Sequence, residues 1–86
     1  MRHIAVRSPG VLGGAIRDAR RALGWTQAQL AEKVQMRQPM VSNIERGVGP
    51  MPLPTLLRLL SALHLDIVVM GRDRAKPPAP WERKER

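Results

Sequence analysis

The 86-residue sequence has no cysteine, no phenylalanine and no tyrosine. Without cysteine there is neither a disulfide framework nor a thiolate metal site. A domain this small must then be held by its core or by association with another copy. Trp25 and Trp81 are the only aromatics, so the core is aliphatic. A platform of stacked aromatics for single-stranded nucleic acid is excluded on the same ground. Long apolar runs are also missing. The most apolar region, Leu53 to Met70, is interrupted by Arg58, His64 and Asp66. It falls short of the ~20 clean residues a membrane span needs. Residues 1–8 lack the apolar stretch of a secretory signal, and the expectation is a soluble, cytoplasmic protein.

Acidic side chains are scarce. Seven Asp and Glu face fifteen Lys and Arg, a formal net charge of +8. Such a balance points to an anionic partner, either nucleic acid or an anionic membrane face. The charge is divided unevenly. Residues 1–71 carry nine basic and four acidic side chains, net +5, and residues 72–86 carry six and three, net +3. That last segment has three prolines, only three apolar side chains and no periodicity, and its composition is that of a disordered basic tail. The expected organisation is an N-terminal arm over 1–7, a folded domain over 8–71 and the tail over 72–86.

Within the domain, Ser8-Pro9 has the chemistry of a helix start: a side-chain acceptor followed by a residue with φ preset for the first turn. Leu12, Ala15, Ile16, Ala19 and Leu23 then lie on one helical stripe, which Gly24 ends. Gly13 and Gly14 are each expected to weaken this helix by roughly 1 kcal/mol relative to alanine. Thr26 and Gln29 form a capping box, with Trp25 and Leu30 placed as a hydrophobic staple. The short helix they open turns Leu30, Ala31 and Val34 inward, and Gln35-Met36-Arg37 breaks its phase. A third helix is expected from about Gln38 to Arg46. Pro39 sits in its first turn, Val41 and Ile44 face inward, and Gly47 closes it. Pro54 is expected to begin a fourth, with Leu56, Leu57, Leu60 and Leu63 as its core stripe. Leu53 and Leu59 widen that stripe and suggest a second buried face. Leu65 to Met70 is rich in β-branched residues and ends at Gly71, so it reads as a strand. With no partner in the chain except Ile4-Ala5-Val6, it is expected to pair with a second copy.

Two short helices joined by a tight three-residue break in a basic, helical domain form the helix-turn-helix pattern. The second helix is narrow enough to enter the major groove of DNA, and Arg37, Gln38, Ser42, Asn43 and Arg46 lie on its outward side. The stretch WTQAQLAEKVQMRQPMVSNIERG, Trp25 to Gly47, resembles the helix-turn-helix of the phage-repressor and Xre family. Across Ser8 to Gly71, the order of SP-helix, GWTQ, QPMVSNIE, Leu-rich helix and LDIVVM most resembles the HipB-type antitoxins.

This resemblance implies a mostly α, lambda-repressor-like domain of four or five helices with a C-terminal strand pairing across a homodimer. It implies a palindromic double-stranded operator and a HipA-type serine/threonine kinase toxin as partners, and no cofactor. Carried over by position, Gln27 would contact a phosphate. Arg37, Gln38, Pro39 and Met40 would read base edges, and Ser42, Asn43 and Arg46 would contact phosphates or further bases. Leu59 and Leu65, Asp66, Ile67, Val68, Val69 and Met70 would form the dimer interface. Arg20 and Glu45 match a structural ion pair linking the first and third helices, and Trp81 is the candidate toxin anchor. Two positions depart from the family. Gln35 stands where the turn usually has glycine, so a non-glycine residue is expected at positive φ. Pro39 stands where many relatives carry a polar base reader.

Other readings compete with these. The polar positions of the third helix would also suit an ordinary solvated face. Arg17, Arg21, Lys33 and Arg58 fit scattered surface charge as well as phosphate contacts. His3 and His64 stand alone, and no nucleophile–base pair or Gly-rich phosphate loop is present, so neither a metal site nor an enzyme is expected. A stand-alone repressor without a toxin and a basic protein–protein adaptor are the alternative functions.

Overall fold

The structure is a computed structural model that describes residues 3–71. It contains four α-helices: α1 (Pro9–Ala22), α2 (Gln27–Val34), α3 (Gln38–Arg46) and α4 (Leu53–Ala62). The tail over 72–86, with Trp81, lies outside the described residues.

Each helix begins where local chemistry dictates. Ser8 Oγ accepts the Val11 N–H at 3.2 Å, with Pro9 in the first turn of α1. Thr26 and Gln29 close the capping box in both directions: the Gln29 N–H donates to Thr26 Oγ1 at 3.1 Å, and the Thr26 N–H donates to Gln29 Oε1 at 2.8 Å. These bonds satisfy donors that a helix start otherwise leaves free. Gly24 and Gly47 take positive φ after α1 and α3. Helix α4 starts at Leu53, one residue before the expected Pro54, and the proline falls within its first turn.

The core is aliphatic. Ile16, Leu30, Val41, Ile44 and Leu59 are fully enclosed, with Ala31, Val34, Leu56, Leu60 and Leu63 around them. Helix α3 lies between α1 and α2, and α4 packs on α2. Two stripes differ from expectation. Leu57 is 48% exposed, whereas Leu59, expected to be covered by a second copy, is buried by its own chain. The core side of α4 runs through Leu56, Leu59, Leu60 and Leu63, an i, i+3, i+4, i+7 set that leaves Leu53 and Leu57 on the flank. Leu23 is the C-cap of α1 and is 40% exposed, so the α1 stripe ends before it.

No strand is formed among the described residues. Leu65 is half-buried against the core, and Ile67, Val68, Val69 and Met70 continue as an exposed segment without regular structure. A β ladder needs a neighbour, and neither residues 4–6 nor any other described segment supplies one within this single chain.

Candidate nucleic-acid interface

The turn between α2 and α3 fixes how the third helix is presented. Gln35 caps α2 in the left-handed region, at φ 57° and ψ 48°. The Met36 N–H then donates to the Ala31 carbonyl at 2.9 Å, and the Met36 side chain packs against the core. Arg37 is the extended N-cap of α3, and its side chain makes no capping bond. The guanidinium is therefore left on the surface at the leading end of the helix. Pro39 lies in the first turn, where no intrahelical N–H is lost.

Three side chains hold the inner face of α3: Val41, Ile44 and Glu45, all buried. Positions half a turn away face solvent. Arg37, Gln38, Pro39, Met40, Asn43 and Arg46 are exposed, and Ser42 is half-buried. The structure thus places seven of the eight candidate contact residues in one run along α3 and its N-cap. Arg46 Nη2 donates to Asn43 Oδ1 at 2.6 Å on this face.

The eighth, Gln27, sits differently. Its Nε2 donates to Glu45 Oε1 at 3.0 Å, so the first residue of α2 is tied directly to α3. Glu45 is the centre of a buried network. Arg20 Nε donates to Glu45 Oε2 at 2.7 Å and Arg20 Nη2 to Glu45 Oε1 at 3.0 Å. Arg20 Nη1 reaches the Trp25 carbonyl at 2.8 Å. One guanidinium thereby clamps α3, α1 and the linker ahead of α2, using the forked donor geometry that lysine lacks. Burial by itself would raise the Glu45 pKa. The hydrogen bonds from Arg20 and Gln27 and the charges of Arg20 and Arg17 outweigh it and hold the carboxyl below its ordinary value. The bond to Glu45 raises the Arg20 pKa, against the opposing effect of burial.

Sequence reasoning missed the Gln27–Glu45 and Arg20–Trp25 bonds, because neither spacing follows a local rule. It also missed why Gly13 is glycine. A Cβ there would sit 2.5 Å from the Glu45 carbonyl oxygen and closer still to that of Ile44. A Cβ on Gly47 would strike the Gly10 backbone. Helices α1 and α3 thus touch backbone to backbone. Among the other basic side chains, Lys33 Nζ lies 4.6 Å above the Trp25 ring, and Arg17 Nε is 3.7 Å from Asp18. No group of three or more potential metal ligands is gathered among the described residues.

A tight two-helix unit with a buried inner face and a polar outer face on its second helix defines a helix-turn-helix protein. Residues 16–69 match the family described as Helix-turn-helix. Antitoxin HipB of Escherichia coli strain K12 is 32% identical over 72 residues, which cover 84% of this chain and 82% of that protein. Antitoxin HipB of Escherichia coli O6:H1 is 32% identical over 74 residues, covering 86% and 79%. Among solved structures, a HipA-HipB-O2-O3 complex matches with a TM-score of 0.73 and 30% identity, over 83% of this chain and 100% of the matched one. The restriction-modification controller protein C.AhdI from Aeromonas hydrophila matches with a TM-score of 0.64 and 29% identity, over 67% and 88%. The chain belongs to the helix-turn-helix family and, within it, to the HipB antitoxins.

Proposed function

We propose that this protein is a sequence-specific DNA-binding repressor that serves as the antitoxin of a HipBA-type pair. It holds a HipA-type serine/threonine kinase inactive and represses its own operon. The observation that carries this reading is α3: a solvent-facing row of hydrogen-bond formers and cations, backed by a buried inner face, in a chain with HipB relatives. Arg37, Gln38, Pro39 and Met40 lead into the major groove, where Arg suits guanine, Gln suits adenine, and the two apolar side chains suit a thymine methyl. Ser42, Asn43 and Arg46 follow along the groove. Gln27 contacts a phosphate with the amide hydrogen that Glu45 leaves free. The protein acts by binding in the cytoplasm and catalyses no reaction. No helix among the described residues is long and apolar enough to cross a membrane.

Two copies pair through Leu65 to Met70, whose exposed Ile67, Val68, Val69 and Met70 gain cover and backbone partners in the dimer. Two recognition helices then meet successive major grooves about 34 Å apart on a palindromic site. Repression follows from steric exclusion of polymerase. The kinase is reached in part through the tail and Trp81. Truncation after Arg74 is expected to weaken kinase binding and spare DNA binding.

The test is affinity for the DNA upstream of the gene as salt is raised. A dimer neutralising six to ten phosphates loses about 10³- to 10⁵-fold between 50 and 200 mM salt. A flat response would remove DNA binding as the main activity. Co-purification of the neighbouring gene product separates an antitoxin from a stand-alone repressor. Gln38→Ala with Asn43→Ala abolishes operator binding in either, and leaves binding intact if the basic face is a protein adaptor.

A further inference from the structure

Asn43 and Arg46 stand one turn apart on the exposed face of α3, and Arg46 Nη2 donates to Asn43 Oδ1 at 2.6 Å. A primary amide has an acceptor end and a donor end, and turning it by half a rotation exchanges them. A guanidinium has donors only, so it can engage the oxygen and never the NH2 group. The bond therefore sets which end of Asn43 is engaged within the protein. Among the described residues no other side chain bonds to the Nδ2 end. The positive charge on Arg46 also polarises the amide and strengthens its N–H donors.

We propose that Arg46 is a positioning residue that orients Asn43 to present its donor end, so this point of α3 selects a hydrogen-bond acceptor on the duplex. The inference rests on the DNA-binding reading above. In the major groove guanine offers two acceptors, N7 and O6, and thymine offers O4, whereas cytosine presents a donor at N4. Adenine presents an acceptor beside a donor and suits an asparagine that uses both ends. Arg46 occupies one of the two acceptor sites of the Asn43 oxygen with a charge-assisted bond and fixes its direction, which weakens that two-ended match and favours guanine or thymine at this position. A phosphate oxygen is an acceptor of the same kind but carries no sequence information.

The experiment selects duplexes from a pool with a randomised central segment, using the full-length wild type, Asn43→Ala, Asn43→Asp, Arg46→Met and the Asn43→Ala/Arg46→Met double variant. Both positions are exposed, so the variants fold, which circular dichroism checks. If a base is read, Asn43→Ala relaxes the preference at one position of each half-site. The wild type takes guanine or thymine there by at least about fivefold, and Arg46→Met admits adenine. If a phosphate is contacted, Asn43→Ala weakens all sequences equally and leaves the salt slope unchanged, because the amide carries no charge. In both cases Asn43→Asp, which keeps an oxygen for Arg46 but has no donor, binds worse than Asn43→Ala. The losses from Asn43→Ala and Arg46→Met are also less than additive. Additive losses, Asn43→Asp binding as well as wild type, or a wild-type preference for adenine or cytosine at the relaxed position would each overturn the proposal. Failure of the wild type to bind any duplex would instead remove the DNA-binding reading, and this inference with it.

Discussion

Gly13 in α1 lies so close to the Ile44 carbonyl in α3 that a single added Cβ would not fit between them. This contact, rather than a side-chain interlock, sets how near α3 comes to α1. The neighbouring glycine has no such duty, because a Cβ on Gly14 would meet only Arg17 Nη2 at 3.8 Å. Gly13→Ala is expected to destabilise by about 3 kcal/mol or more, since the obstructing atoms are backbone and cannot rotate away. Gly14→Ala is expected to stabilise by roughly 1 kcal/mol through helix propensity. Urea unfolding of the two variants checks both signs.

Arg20 and Glu45 are both nearly inaccessible, at 7% and 3% exposure, so neither can be left alone without cost. Arg20→Ala strands a buried carboxylate and is expected to cost about 3–5 kcal/mol. Arg20→Lys restores the charge but not the fork that spans Glu45 and the Trp25 carbonyl, so it recovers only part of the loss. Thermal and chemical denaturation measure the difference.

The lowered Glu45 pKa gives a pH dependence of definite sign. As pH falls, the unfolded chain takes up this proton first, near ~4.3, while the folded carboxylate resists it. The stability contributed by the pair is complete above that pH and drains away as pH falls toward the folded value. The urea midpoint is expected to fall as the pH is lowered from 5 to 3.5. Glu45→Gln, which cannot titrate, is expected to lose less over the same interval.

Gln35 occupies the left-handed region without being glycine. Relief of that strain, less the extra freedom glycine has when unfolded, is expected to make Gln35→Gly more stable by roughly 0.5–1 kcal/mol. The turn keeps its shape, so DNA affinity is expected to stay within about twofold, well inside the tenfold that ~1.4 kcal/mol represents. Calorimetry and a binding titration report the two quantities.

In the proposed dimer, successive backbone N–H groups of residues 65–70 point to opposite edges of the strand. One of Val68→Pro and Val69→Pro must therefore delete a donor of the intermolecular ladder. Both side chains are more than 60% exposed in the single chain, so neither change touches the core. Sedimentation at micromolar concentration is expected to show a dimer for the wild type and dissociation for one of the two variants. Dimers in both would place the interface elsewhere.

Local rules marked the helix starts and ends well. The Ser8-Pro9 start, the Thr26–Gln29 box and the closing glycines act within four residues, and nothing distant competes with them. Periodicity placed the inner face of α3 as well: Val41 and Ile44 lie at helical spacing and are buried, whereas Met40, one position earlier, is exposed. It was less reliable in α4, where leucines occupy both flanks. Leu57 and Leu59 are chemically alike, and only the packing of α4 on α2 decides which is enclosed.

The amino-acid sequence by itself determined that this protein is helical, basic and free of disulfides, and where α3 begins and ends. Capping, turn chemistry and charge are short-range or additive properties, so they can be read residue by residue. Tertiary structure alone decided what Gly13 and Gln27 do. One allows two backbones to touch, and the other joins a carboxylate 18 positions away. Such contacts arise from the crossing of helices, which no local spacing encodes. The segment from Leu65 to Met70 belongs to a third level: its β-branched pattern is plain, but a strand is completed only by a neighbour's backbone.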